Sequence, residues 1–219
     1  MLMIITNAMR NSKLFQNMTD TEIQEALSFF KAEKQSFTKN EIIKNTNTQL
    51  KAFGLVLSGA ITVFMDDFDG NCLVMSSAMQ SETFGESLCF LQRNEPVYIT
   101  ASQNTEILWL HCDNLRKDCS CASACDLRNR FTALLASRAL TMNDRIQILS
   151  KYTIREKLIT YFSQCANRTQ NNTFTLPLDR ASLASYIGTE RSALSRELHK
   201  MQNNNIIKIN KDEITLIRK

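Results

Sequence analysis

The chain has 219 residues, 43% of them hydrophobic and 22% charged, with a formal net charge of +4. This is the composition of a globular protein, long enough for one large domain or two modest ones. No stretch is long and apolar enough to span a bilayer, and the opening MLMII is too short for a signal-peptide core, so a cytoplasmic protein without a membrane partner is expected.

A helix is predicted from residue 10 to 31. Within it, NMTDTEIQEALSFF places Ile23, Leu27 and Phe30 on one face, with Thr19 or Asp20 as the cap. From about 32 to 111 short apolar runs alternate with turn signals: FGLVLSG, ITVFM, CLVM, VYITAS and EILWLH. Many short strands at this spacing read as a β-sandwich, jelly roll or barrel. FMDDFDGNCLVM predicts a hairpin with Asp69-Gly70 at its tip.

A long helix is predicted next, from about Cys125 to Leu149. Phe131, Leu135, Ala139, Met142, Ile146 and Leu149 follow one another at spacings of 4, 4, 3, 4 and 3, a coiled-coil-like seam. Leu127, Leu134 and Leu140 widen it. A helix this broadly apolar needs two neighbours, which a homodimer supplies. The alternative is a core helix of a monomer.

YTIREKLITYFSQCA predicts an amphipathic helix with Ile154, Leu158 and Phe162 in one row. TFTLPL is extended, as the residue before Pro177 must be. Asp179 can cap RASLASYI, Gly188 ends that helix, and Thr189 can cap the next, ERSALSRELHKMQ. Leu194, Leu198 and Met201 fall at i, i+4 and i+7, one buried stripe, with Ala184 small where the two helices would cross. Arg191, Ser192, Ser195, Arg196 and His199 share the opposite face, which offers hydrogen-bond forks and hydroxyls rather than Glu/Lys pairs. Two short helices around a glycine turn describe a helix-turn-helix. IIKINKDEITLI adds two strands around Asn210–Asp212, which read as a wing.

The charge is uneven. Residues 151–219 hold 12 Lys/Arg against 6 Asp/Glu, whereas residues 1–150 hold 14 against 16. The last third therefore points to a polyanionic partner. Seven cysteines, an odd number in a chain without a secretion signal, argue against a disulfide framework. Cys119, Cys121 and Cys125 have C-x-C-x3-C spacing and make a candidate metal or redox site, although the spacing matches no strong metal signature. A cysteine-nucleophile enzyme has little support. Of the two histidines, His111 neighbours Cys112 on an extended segment and His199 sits in the second helix of the pair. No enzyme is expected.

In this order the parts resemble the Crp/Fnr family of bacterial transcription regulators. The strongest match is LDRASLASYIGTERSALSRELHKMQ followed by NNIIKINKDEITL; LSGAITVF, FGESLCF and LSKYTIREKLITYF resemble further segments of the family. The resemblance implies an α+β fold in three parts: an N-terminal β jelly-roll, or double-stranded β-helix, effector domain over residues 1–118, a long dimerisation helix over 119–150, and a C-terminal winged helix-turn-helix over 151–219. It implies a homodimer on a palindromic operator in double-stranded DNA, with RNA polymerase as a partner if the protein is an activator. In the docking geometry of such motifs, Arg191, Ser192, Ser195 and Arg196 face base edges, and Arg180, Thr189 and Lys200 are placed for phosphates. The family often carries Glu where Ser192 stands, so its operator sequences do not transfer.

The resemblance also implies an effector pocket at Gly85, Glu86, Ser87, Val97 and Tyr98. In the cyclic-AMP sensors of the family, a Gly-Glu pair is followed by an Arg-Ser pair that holds the cyclic phosphate. Here Gly85-Glu86 is present, but Glu95, Pro96 and Val97 stand near where Arg-Ser would be, and a phosphodiester buried without its cation is poorly compensated. A small-molecule effector other than cyclic AMP is expected, and no cofactor is named. The alternative is a regulator that senses metal or redox state through Cys119, Cys121 and Cys125.

Overall fold

The computed structural model describes residues 3–46, 48–66, 72–117, 122–176 and 178–217. The chain divides into two compact units, Met1–Ala136 and Ser137–Lys219, and the division falls inside one long helix.

The N-terminal unit begins with α1 (Asn7–Asn11) and α2 (Asp20–Phe29). The single helix expected over 10–31 is therefore interrupted. Ser12 leaves the helical region, its buried hydroxyl donates to the Met9 carbonyl at 2.8 Å, and Asn17 takes a positive φ of 63° before the chain restarts. Thr19 restarts it with a capping box: its hydroxyl accepts from the Glu22 amide, and the Glu22 carboxylate accepts from the Thr19 amide at 2.7 Å.

Among the described residues eight strands follow: β1 (Glu33–Phe37), β2 (Ile42–Lys44), β3 (Ala52–Ser58), β4 (Ala60–Asp66), β5 (Cys72–Met79), β6 (Thr83–Phe84), β7 (Val97–Ala101) and β8 (Thr105–His111). They form two antiparallel four-stranded sheets, β1-β8-β3-β6 and β2-β7-β4-β5. This is a jelly roll. The β4–β5 hairpin pairs from Ala60↔Met79 to Asp66↔Cys72, and its expected Asp69-Gly70 tip lies outside the described residues. Helix α3 (Glu86–Leu91) separates β6 from β7.

The first sheet is covered on both faces, which is why β3 reads as an unbroken apolar run. Phe53, Leu55 and Leu57 join Phe30, Leu108, Leu110 and Phe131 beneath the helices. Val56, Ile107 and Phe84 turn the other way and meet Ile61 and Ile99 of the second sheet. Gly54 also lies in β3, where a side chain would collide: a Cβ there would lie 2.3 Å from the Phe84 ring and 3.1 Å from Ile107 Cγ2.

Helix α4 (Ala122–Leu149) carries Leu127 and Phe131 into the core of the N-terminal unit. The C-terminal unit contains the end of α4, then α5 (Ile154–Thr169), β9 (Thr173–Thr175), α6 (Arg180–Ile187), α7 (Arg191–Asn203), β10 (Ile207–Asn210) and β11 (Glu213–Leu216). Its three-stranded sheet has the order β10-β11-β9. Ile148, Leu158, Phe162, Phe174, Leu183 and Ile214 are among the residues of its core. No described helix is long and apolar enough to cross a membrane.

Gly54→Ala is expected to destabilise the N-terminal unit by about 1–3 kcal/mol, the usual cost of forcing extra volume into a packed core. Urea unfolding followed by Trp109 fluorescence measures this, because Trp109 lies edge-on to Phe84 at 5.6 Å. An unchanged midpoint would contradict the packing described.

Candidate nucleic-acid interface

The site is built from three helices and a hairpin of the C-terminal unit. Thr153 starts α5 with a second capping box: its hydroxyl accepts from the Glu156 amide at 3.1 Å, and the Glu156 carboxylate accepts from the Thr153 amide at 3.0 Å. These bonds hold the Glu156 carboxyl below its ordinary range. Asp179 caps α6 by accepting from the Ser182 amide at 2.7 Å, and that bond lowers its own carboxyl pKa. Both carboxylates contribute stability above the usual carboxylate range and lose that contribution as pH falls through their lowered values.

The turn between α6 and α7 is set by Gly188, at φ 64° and ψ 59° in the left-handed region. The Gly188 amide donates to the Ser185 carbonyl at 3.2 Å and the Thr189 amide to the Ala184 carbonyl at 2.9 Å. Thr189 is thereby used to close the turn. The expectation that it caps α7 is corrected: the helix starts one residue later, on Glu190, whose side chain makes no cap hydrogen bond.

The rotation of α7 follows from its apolar residues. Leu194, Leu198 and Met201 are buried, as is Ala184 on α6. Arg191, Ser192, Ser195, Arg196, His199 and Lys200 are all exposed. Helical periodicity puts them around one face, with Arg191 and Lys200 at its margins. Glu197 is the one acidic residue within α7, and Arg155 of α5 takes it out of play: Arg155 Nε lies 2.6 Å from Glu197 Oε1, and Glu197 is mostly buried. The exposed face is left with two arginines and a lysine.

Arg180 opens α6 and is half-buried; its Nη1 is enclosed and, among the described residues, has no hydrogen-bond partner. Thr189 is half-buried in the turn. The wing adds two exposed lysines that the sequence reading did not name, Lys208 on β10 and Lys211 in the turn to β11. Their signal was present as basic residues in the wing strands. The end of α4 is bound into the same unit. Arg168 pairs with Asp144 at 2.7 Å, Gln164 donates to the Asp144 carbonyl at 3.0 Å, and the Arg145 guanidinium lies 5.3 Å from the centre of the Tyr186 ring. Beyond these contacts α4 exposes Leu140, Met142, Ile146 and Leu149, whereas Phe131 is buried and Leu135 partly so.

In the N-terminal unit, Gly85 takes φ 79° immediately before α3, and a Cβ there would lie 2.3 Å from Leu50 Cδ2. Glu86 is buried and Ser87 exposed. Val97 and Tyr98 lie on β7; Val97 is buried, and Tyr98 stacks on Phe64 at 5.3 Å. The sequence reading missed Lys44, a buried cation at the end of β2. Its Nζ donates to the carbonyls of Val97 at 2.9 Å and Asn45 at 3.1 Å, and burial pushes its pKa down. A cleft of about 410 Å³ opens in this unit, lined by Lys31, Lys51, Cys89, His111 and Arg116 among others. None of the five expected effector-pocket residues lines it.

Of the candidate metal or redox cysteines, Cys119 and Cys121 lie outside the described residues, and Cys125 is half-buried on α4. Among the described residues, no group of three or more His, Cys, Asp or Glu side chains comes together as a metal site.

Residues 156–219 match the family of Crp-like helix-turn-helix domains. No curated protein matches the chain in sequence. Among solved structures, the chain is similar to the catabolite activator protein of Thermus thermophilus, with 21% identity, 94% of this chain and 93% of that one covered, and a TM-score of 0.50. It is similar to DNR from Pseudomonas aeruginosa, with 17% identity, 99% and 97% covered, and a TM-score of 0.51. It is also similar to CLP of Xanthomonas campestris, a c-di-GMP responsive global regulator, with 15% identity, 92% and 100% covered, and a TM-score of 0.58. Residues 156–219 thus carry the match to Crp-like helix-turn-helix domains, and the chain is similar in fold to the catabolite activator protein, DNR and CLP.

Proposed function

We propose that the protein is a homodimeric, sequence-specific DNA-binding regulator in which α7 enters the major groove. The observation that carries this reading is the division of α7: Leu194, Leu198 and Met201 are buried, Glu197 is neutralised by Arg155, and the remaining face is exposed and cationic. Arg191 and Arg196 can each offer a guanidinium fork to guanine O6 and N7, and Ser192 and Ser195 read less strictly. Arg180, Thr189 and Lys200, with Lys208 and Lys211 of the wing, are assigned to phosphates, which position the domain without specifying sequence. The excess of basic residues after 150 supports a polyanionic ligand.

Dimerisation is assigned to the exposed stripe of α4. Ala139, Met142, Ile146 and Leu149 continue the heptad spacing, and Met142 and Ile146 are 65% and 62% exposed in the single chain. The earlier seam residues Phe131 and Leu135 pack in the N-terminal unit instead, so the stripe available to a second copy is the later one. Charged substitutions at Met142 and Ile146, both to Lys, are expected to give folded monomers by sedimentation that lose specific operator binding. A wild-type chain that stays monomeric at micromolar concentration would contradict this assignment.

The N-terminal unit is assigned a small-molecule effector other than cyclic AMP. Its Gly85-Glu86 turn is kept, but Glu95, Pro96 and Val97 supply no cation for a cyclic phosphate, and the nearby Lys44 is already held by two carbonyls. The fold itself does not set the effector, since CLP, which shares it, is c-di-GMP responsive.

On an operator obtained by selection from genomic fragments, Arg196→Ala is expected to cost about 1–3 kcal/mol per half-site and to relax preference at one base position. Lys200→Ala should weaken all sequences alike and reduce the salt slope by about one per half-site, about two for the dimer. Titrations at several salt concentrations separate the two effects. If Arg196→Ala keeps both affinity and base preference, α7 is not the reading element.

A further inference from the structure

Two cysteines that the DNA reading does not use meet in the N-terminal unit. Cys89 lies on α3 and Cys112 directly follows β8. They are 23 residues apart in sequence, yet their Sγ atoms are 2.7 Å apart. A disulfide bond is about 2.05 Å long, so the two sulfurs need to close by only about 0.7 Å. Both side chains are enclosed by protein, and both are free thiols. Neither can easily move away from the other. The turn before α3 is wedged against Leu50 at Gly85, and β8 is paired on both sides, with β1 and β3.

Their surroundings distinguish the two sulfurs. Cys89 Sγ also lies 3.3 Å from the Lys51 carbonyl. Arg116 donates to the Cys89 carbonyl at 3.2 Å while pairing with Asp113 at 2.7 Å. The contact with Cys112, helped by the Arg116 charge, holds the Cys89 thiol below its ordinary pKa, and the same contact together with burial pushes Cys112 up. Of the two sulfurs Cys89 is the one that gives up its proton more readily, which makes it the attacking sulfur. Cys89 also lines the cleft of about 410 Å³, beside Lys31, Lys51, His111 and Arg116. The cleft therefore brings a small oxidant up against the wall that holds Cys89.

We propose that Cys89 and Cys112 are a reversible dithiol–disulfide site, oxidised by a peroxide that enters through this cleft. The Cys89 thiolate attacks one peroxide oxygen. An S–O bond forms, the O–O bond breaks, and the leaving hydroxide takes up the proton that Cys89 gave away. The Cys112 sulfur then attacks the Cys89 sulfur. The S–S bond forms, the S–O bond breaks, and the hydroxyl leaves as water with the proton of Cys112. Two thiols and one hydrogen peroxide become one disulfide and two waters, with two electrons passing from sulfur to oxygen. The bond ties α3 to the 3-10 turn Asp113–Arg116 that follows β8. This site is independent of the DNA reading and of the Cys119/Cys121/Cys125 cluster.

The test uses the full chain, reduced and then exposed to hydrogen peroxide in small excess. Remaining thiols are alkylated under denaturing conditions, and the protein is cut with trypsin and a glutamate-specific protease, which separates Cys89 from Cys72. The expected result is loss of alkylated Cys89 and Cys112 and recovery of their two peptides joined, with dithiothreitol restoring both. Cys165 serves as an internal reference, because burial raises its thiol pKa and it should be oxidised later. In Cys112→Ser, Cys89 should be trapped as its sulfenic acid by dimedone; in Cys89→Ser, Cys112 should not be. The proposal is overturned if Cys89 and Cys112 of the wild-type chain are still alkylated when Cys165 has been oxidised, or if Cys89 is joined to a different cysteine. The wild-type peptide map decides the matter even if a variant fails to fold.

Discussion

The face that α7 presents depends on one constraint, the burial of Leu194, Leu198 and Met201 in the core of the C-terminal unit. Each fully buried side chain of this kind contributes about 1.5–3 kcal/mol. The Arg155–Glu197 pair is partly exposed, and such pairs are worth about 0–1 kcal/mol. The stripe therefore decides which way α7 faces, and the ion pair decides what charge it presents. Rotating α7 by one residue would bury Ser195, His199 and Gln202, or Ala193, Glu197 and Lys200, and would expose Leu194 and Leu198. The exposure of Arg191, Ser192, Ser195 and Arg196 follows from packing on the opposite side of the helix.

Much of this was legible in the sequence, for local reasons. Spacing of i, i+4 and i+7 identifies the stripe without any tertiary information. Asp179 and Gly188 act within a few residues of themselves, so the bounds of α6 could be read directly. What escaped was decided by longer-range or subtler geometry. The helix expected over 10–31 breaks at Ser12, where a side-chain hydroxyl bonds back to the preceding turn in competition with helix continuation. Thr189 looks like a cap in sequence, but its amide is drawn into closing the glycine turn. Lys44 is invisible as a buried cation until β2 and β7 are paired and the Val97 carbonyl is placed beside it. Cys89 and Cys112 become neighbours only when α3 is set against the end of β8.

The N-terminal unit shows a different balance. Its first sheet is covered on both faces, so alternation disappears from β3, and Gly54 is required by the close approach of Phe84. Its chemistry lies in two places. The Gly85-Glu86 turn and β7 form the region where the family resemblance puts an effector. The cleft beside Cys89 is lined by other residues. α3 belongs to both, since Glu86 opens it and Cys89 lies one turn further on. A ligand in one place and a disulfide in the other would act on the same short helix.

The most direct test of the central claim is methylation protection by dimethyl sulfate on a selected operator, because the reagent reports guanine N7 in the major groove and adenine N3 in the minor groove. If α7 reads base edges from a two-fold dimer, guanine N7 atoms should be protected in two patches on one face of the duplex, about 34 Å apart. Protection confined to adenine N3, or none at guanine N7 under saturating protein, would contradict the account.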